Sequence, residues 1–266
     1  MQQVSALIDH HKATFDWRDR LRAAAIHLGL SALVAALAGV LVFALWYPWP
    51  YRELSGGREL FLLVVAVDVV LGPLVTFAIF DRAKSRAGLR RDLALVVALQ
   101  LAGLLYGLWT VQLARPVHMV FEFDRFRVVH RSDIPQDLED ATPPGIEFAP
   151  WTGPTVLAVR PFRSEQEKFE ATTAALQGIA LAARPDLWQT YAQATPRVLE
   201  AAHPLAQLKS RFAAQASEID EAVHKAQRSD AEVAWLPVVG RKAQAWTVLL
   251  DKRTGEVLGY LPLDSF

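Results

Sequence analysis

The chain has 266 residues, no cysteine, and 28 basic residues balanced by 28 acidic ones. That balance argues against nucleic acid as a partner, because such binding needs basic surface to displace counterions from phosphates. Without cysteine there is no disulfide, no thiolate nucleophile and no sulfur-rich zinc site.

The apolar residues concentrate in the first 114 positions as three long runs. The first, Leu21 to Trp46, is too long for a signal-peptide core and lacks a cleavage site after it, so it reads as a retained anchor helix. It ends in "WYPWPY". Trp46, Tyr47, Trp49 and Tyr51 suit a lipid headgroup layer, and Pro48 and Pro50 stop the helix. His27 within it reads as a hydrogen-bonded histidine rather than a functional acid or base.

The second run, Leu60 to Phe80, carries one charge, Asp68. As a helix it is about 31 Å long, which matches a bilayer's hydrocarbon core and puts Asp68 near the midplane. A charge there costs at least about 2.5–3.5 kcal/mol. Two kinds of reading stand: a structural polar contact facing the bundle interior, with Gln100 and Tyr106 of the third run as partners, or a functional group, either a proton relay or an acceptor for a group on a partner's helix. One acid in three helices lacks the chain of titratable groups that a pump needs. Gly72 lets another backbone approach, and Pro73 frees the Val69 carbonyl.

The third run, Leu93 to Ala114, holds Gly103 and Gly107 as a G-x-x-x-G pair, a spacing that permits close helix contact within the bundle or with a partner. Basic residues set the orientation. Lys12, Arg18, Arg20 and Arg22 lie before or at the very start of the first run, and Arg82, Lys84, Arg86, Arg90 and Arg91 lie between the second and third. The loop between the first and second has Arg52 and Arg58, offset by Glu53 and Glu59. The positive-inside rule then places the N-terminus and the basic loop in the cytoplasm and everything after Ala114 outside, with Arg115 as an exception in the flank.

From Arg115 onward the pattern changes. Residues 115–129 and 154–162 read as strands, with a bend at Asp124–Arg125 and an acidic, proline-rich loop over 132–145. Ser164 and Glu167 form an S-x-x-E helix start, with the helix running to about Ala183. A longer helix is expected from Pro204 to about Arg228, then an antiparallel meander to the end with a turn at Gly255. The expected architecture is a cytoplasmic segment (1–20), a three-helix transmembrane domain (21–114) and a periplasmic α+β domain with antiparallel strands (115–266).

The exported part carries no hydrolase, P-loop, zinc-protease or dinucleotide motif, and its histidines lack metal-ligand spacing, so no catalytic residue, metal or cofactor is expected. Arg125 and Arg127 flank Phe126 on one strand, either as a solvated face or as a contact edge for a partner.

Taken together, "DVVLGPL" in the second run and "ARPVHMVFEFDRF" after the third resemble the TfpX/TfpZ-type family of type IV pilin accessory proteins, over roughly residues 20 to 135. The resemblance implies a bacterial inner-membrane protein that assists a pilin's stability or assembly, or tunes pilus extension and retraction. Its expected partners are a pilin subunit, other pilus assembly components and the lipid bilayer. The rival readings are a membrane-bound enzyme that modifies pilin, for instance by glycosyl transfer, and a periplasmic sensor that signals through a partner.

Overall fold

A computed structural model describes residues 17–81, 84–241 and 245–266. Lys12, Arg82, the start of the cytoplasmic segment and Gln244 at the head of an expected strand lie outside the described residues. By contacts the chain forms two compact units, one drawn from the chain up to Gly39 with Leu60–Trp109, the other from Val40–Glu59 with Thr110–Phe266.

The first unit is helical. It is made of the greater part of α1 (Trp17–Val40), α3 (Gly57–Ile79) and α4 (Arg86–Leu113); the π-helical turn Leu41–Trp46 that continues α1 and the single turn α2 (Tyr51–Leu54) belong to the second unit. All three long helices are long and apolar enough to cross a membrane. They leave large apolar side chains such as Leu63, Leu95 and Leu99 exposed, an arrangement suited to lipid rather than water and suggestive of membrane association. α3 runs unbroken through Pro73, which is buried. At its C-terminal end the Arg20 guanidinium donates to the Ala78 carbonyl at 2.6 Å and lies 3.8 Å from Asp81. It thereby satisfies a carbonyl left open by the helix end and complements the negative end of the helix dipole.

The strands of the second unit are β1 (Pro116–Glu122), β2 (Arg125–His130), β3 (Thr155–Val159), β4 (Trp188–Thr190), β5 (His203–Pro204), β6 (Val233–Val239), β7 (Ala245–Asp251) and β8 (Val257–Leu261). They form one sheet of order β4-β3-β1-β2-β6-β7-β8, with β5 paired to β6. The helices are α5 (Glu165–Leu176), α6 (Tyr191–Ala201), α7 (Leu205–Arg211) and α8 (Ala216–Lys225). The expected C-terminal meander is present, with β6, β7 and β8 paired antiparallel. The expectation of antiparallel strands throughout fails, because β1 pairs parallel with β3 and β2 pairs parallel with β6. The long connections after β2 and after β4 let the chain re-join the sheet beside a non-neighbour. Side-chain alternation reports which face a strand buries, not which way it runs.

β1 is buried on both faces. Met119 and Phe121 join Phe126, Leu236 and Val248 under α6, while Val117 and Val120 join Leu157, Leu187 and Trp188 on the opposite side. A third cluster packs Leu205 and Leu208 of α7 and Ile219 and Val223 of α8 over the meander. The β1–β2 hairpin turns at Phe123–Asp124, one residue earlier than expected, with Phe123 at φ 58°.

Two helix ends differ from expectation for local reasons. α5 stops at Leu176 because Gly178, at φ 97°, closes it. The Ile179 N–H returns to the Ala174 carbonyl and the Gly178 N–H to that of Ala175, both at 3.0 Å, so two open carbonyls are satisfied. At its start Ser164 Oγ accepts from the Glu167 N–H at 3.1 Å. The Glu167 carboxylate takes the Arg160 guanidinium (2.6 Å) and the Arg163 N–H, and the Arg160 bond foremost holds its pKa down to about 2. The expected long helix from Pro204 is two helices, α7 and α8, broken at Phe212, whose ψ of 52° is not helical.

Three of the four aromatics after α1 fold inward. Trp46, Tyr47 and Tyr51 are buried within the second unit, and Trp49 stays exposed. The Tyr47 hydroxyl donates to the Val111 carbonyl at 3.1 Å, and Tyr51 and Leu54 enter the core beside Met119. Arg115 is likewise buried and donates to the carbonyls of Pro150 (3.0 Å) and Ala149 (3.3 Å). It is therefore part of this unit's fold rather than a free basic flank.

His118 ties β1 to neighbouring backbone. Its Nε2–H donates to the Phe148 carbonyl at 3.1 Å, and its Nδ1 accepts from the Thr155 hydroxyl at 2.7 Å. Burial foremost pushes its pKa down from 6.5 to about 4; the Phe148 bond opposes this and the Arg115 charge adds to it. The unfolded chain therefore binds the proton first, so stability is complete above pH 6.5 and is lost progressively between about 6.5 and 4. A shift of this size corresponds to about 3 kcal/mol. His130, also pushed down by burial, adds to the same slope. We expect the denaturant midpoint of the full chain in neutral detergent to fall between pH 7 and pH 4.5, and His118→Gln to flatten most of that slope. The Glu167 and Asp251 carboxylates, held near 2 by Arg160 and by the Arg253 N–H respectively, titrate below this window.

Candidate functional site

The first unit gathers its polar side chains at one level. His27 of α1 meets Thr76 of α3 and Gln100 of α4. The Gln100 Nε2 amide donates to the Asp68 backbone carbonyl at 2.8 Å, which leaves Gln100 Oε1 to accept from His27 Nε2–H. His27 Nδ1 then accepts from the Thr76 hydroxyl at 2.5 Å. One continuous chain of hydrogen bonds thus links the three helices. In an apolar surround each of these groups would be costly to leave unpaired.

The Asp68 side chain stands beside this chain but not in it. The residue's carbonyl is used, whereas its carboxylate Oδ2 is buried and has no hydrogen-bond partner among the described residues. A cavity of about 420 Å³ lies next to it, lined by His27, Ser31, Asp68, Thr76 and Gln100 amid leucine and valine side chains.

The glycines explain how the helices come this close. A Cβ on Gly72 would fall on the Gln100 side-chain amide. A Cβ on Gly103 would lie 3.6 Å from Asp68 Oδ1, and one on Gly107 would lie 2.5 Å from Val64 Cγ1. So Val64, Asp68 and Gly72, four residues apart on α3, face Gly107, Gly103 and Gln100 on α4. The G-x-x-x-G spacing is used inside the bundle, as a seam of small residues against one helical ridge. Tyr106 lies elsewhere. Its ring packs on Trp109 with centroids 5.7 Å apart, and it is exposed.

Sequence reasoning singled out Asp68, Gly72, Pro73, Gln100, Gly103, Tyr106 and Gly107, and the structure brings Asp68, Gly72, Gln100, Gly103 and Gly107 together along the α3–α4 seam. It missed Thr76, because a threonine in an apolar helix gives no signal until the register against the other helices is known. In the second unit, Arg127 is held by Glu122 at 2.7 Å, and Glu122 also accepts from the Ala182 N–H at 3.3 Å. Arg125 binds Asp124 at 2.7 Å, with its guanidinium over the Phe266 ring. Both arginines are thus paired within the unit.

Comparison with known proteins gives one consistent group. The family described as "Fimbrial assembly protein FimB" matches residues 15–56. "Fimbrial assembly protein, serogroup I" of Dichelobacter nodosus is 38% identical over 243 residues, 91% of this chain and 94% of that protein. "Fimbrial assembly protein, serogroup E1" of the same organism is 38% identical over 244 residues, with the same shares. A third relative, for serogroups C1 and C2, is 41% identical over 109 residues, 41% of this chain and 83% of its own length. No solved structure matches.

Proposed function

The chain belongs to the family of fimbrial assembly proteins, and from that premise we propose that it is a membrane-embedded, chaperone-like accessory protein for type IV pilin. It crosses the bacterial inner membrane three times, with its N-terminus in the cytoplasm and its second unit in the periplasm. There it assists pilin stability, pilus assembly, or extension and retraction, without catalysing a reaction. A pilin subunit waiting in the membrane presents one apolar helix and an exported head. A protein that attends it needs a surface in lipid and a surface outside.

The observation that carries this reading is the cavity beside Asp68, with a buried carboxylate oxygen open to a partner's group, next to a chain in which His27, Thr76 and Gln100 satisfy one another. The basic residues around α1 and between α3 and α4 support the orientation. Mild cross-linking in intact cells, followed by purification of the protein from membranes, tests the reading. Pilin is expected among the captured proteins. Capture of lipid-linked sugar enzymes without pilin, together with an altered pilin mass in a deletion strain, would replace it with the modifying-enzyme reading.

A further inference from the structure

Two tryptophans of the second unit leave their indoles open, Trp49 at 53% and Trp151 at 56% exposure. They are fixed at the same place. Trp151 stands edge-on to Trp46 with ring centroids 5.5 Å apart, and the Arg115 guanidinium lies 5.8 Å from the Trp151 ring. The Gly153 N–H donates to the Leu45 carbonyl at 2.6 Å, and a Cβ at Gly153 would lie 3.6 Å from the Pro48 ring, next to Trp49. Trp49 packs edge-on to Tyr260 at 5.9 Å, and the Tyr260 hydroxyl meets that of Tyr51 at 3.0 Å. The buried Tyr47 hydroxyl ties the same stretch to the Val111 carbonyl in the last turns of α4. The pair therefore sits where two of the apolar helices end, on a backbone held by core contacts.

We propose that Trp49 and Trp151 form a lipid-docking surface that holds the second unit against the headgroup layer of the membrane. An indole offers a broad apolar face and a single N–H, which suits the boundary where acyl chains give way to ester carbonyls and phosphates. Phospholipid is the occupant that the position selects, because the residues preceding Trp49 and those around Val111 are the ends of helices long and apolar enough to cross a membrane. The burial of Trp46, Tyr47 and Tyr51 leaves the anchoring to Trp49, and the loop at Trp151 supplies a second indole from more than a hundred residues downstream. The inference rests on the reading that these helices cross a bilayer.

The chain has no cysteine, so single substitutions give unique labelling sites. Trp49→Cys, Trp151→Cys, Leu71→Cys on exposed α3 and Leu176→Cys on exposed α5 would each carry a nitroxide, with the full chain reconstituted in vesicles of phosphatidylethanolamine and phosphatidylglycerol. Collision with oxygen, which concentrates in lipid, is compared with collision with a water-soluble nickel chelate. Leu71 is expected to report the bilayer core and Leu176 water. Trp49 and Trp151 are expected in between, with oxygen favoured severalfold relative to Leu176. Thr152→Cys, which keeps the tryptophan, carries the same readout where Trp151→Cys does not fold. If Leu71 reports the core while either tryptophan position reports water, the docking surface is overturned and membrane crossing stands. If Leu71 itself reports water, the crossing fails and this inference fails with it.

Discussion

Gly72→Ala is expected to destabilise the helix bundle, although alanine is the better helix former. Propensity alone favours alanine by about 1 kcal/mol in a helix interior. Against that, the new methyl falls on the Gln100 side-chain amide, and overpacking of this kind costs about 1–3 kcal/mol. Moving Gln100 away also breaks its bonds to the Asp68 carbonyl and to His27, leaving polar atoms unpaired among apolar neighbours. The cost should therefore exceed the gain. Gly29 of α1 is the internal control, since a Cβ there meets nothing within 4 Å, and Gly29→Ala should be neutral or mildly stabilising. Denaturant titration of the purified full chain in detergent measures both variants. Adding Gln100→Ala to Gly72→Ala removes the obstruction and should recover part of the loss, giving a non-additive pair. Equal stability of Gly72→Ala and Gly29→Ala would show that the α3–α4 seam is not packed as described.

Residues out of place in their local composition were the ones the sequence disclosed. Asp68, and the glycine and proline after it, contradict an apolar helix, so their positions alone mark them as sites with a packing or binding role. Gly178 held an equally plain signal, a glycine after a run of helix formers, and marks the true end of α5. What stayed hidden depended on register or direction. His27, Thr76 and Gln100 lie on three different helices, and only the packing of those helices brings their side chains to one level. The parallel pairings of β1 with β3 and β2 with β6 are set by connections that carry no alternation of their own. The tryptophans and tyrosines after α1 show local composition losing to tertiary packing. Proline-flanked aromatics at a helix end suit a headgroup layer, yet Tyr47 and Tyr51 have their hydroxyls claimed by Val111 and Tyr260 and their rings buried in the second unit.

Asp68→Leu is expected to leave the protein present at normal levels, and no less stable in detergent, while sharply reducing surface piliation and pilin capture by cross-linking. The reasoning starts from what Asp68 does within its own chain. The bond it contributes to the bundle is made by its backbone carbonyl, which leucine keeps. Its carboxylate Oδ2 is buried with no partner among the described residues, so removing it forfeits no contact made by that oxygen. On the membrane-crossing reading, a charge near the midplane costs at least about 2.5–3.5 kcal/mol on insertion scales, and leucine removes that cost. A structural role predicts the reverse, with leucine lowering stability as well as function. Measuring both stability and pilin capture therefore separates the two roles. Asp68→Asn refines the result. It keeps the size and the hydrogen-bonding capacity but not the ability to ionise, so retained capture would assign Asp68 a hydrogen-bonding role and lost capture an ionic one. Unchanged piliation and capture in Asp68→Leu would leave the cavity beside it without a role in recognising pilin, and the proposed contact with pilin would lose the observation that carries it.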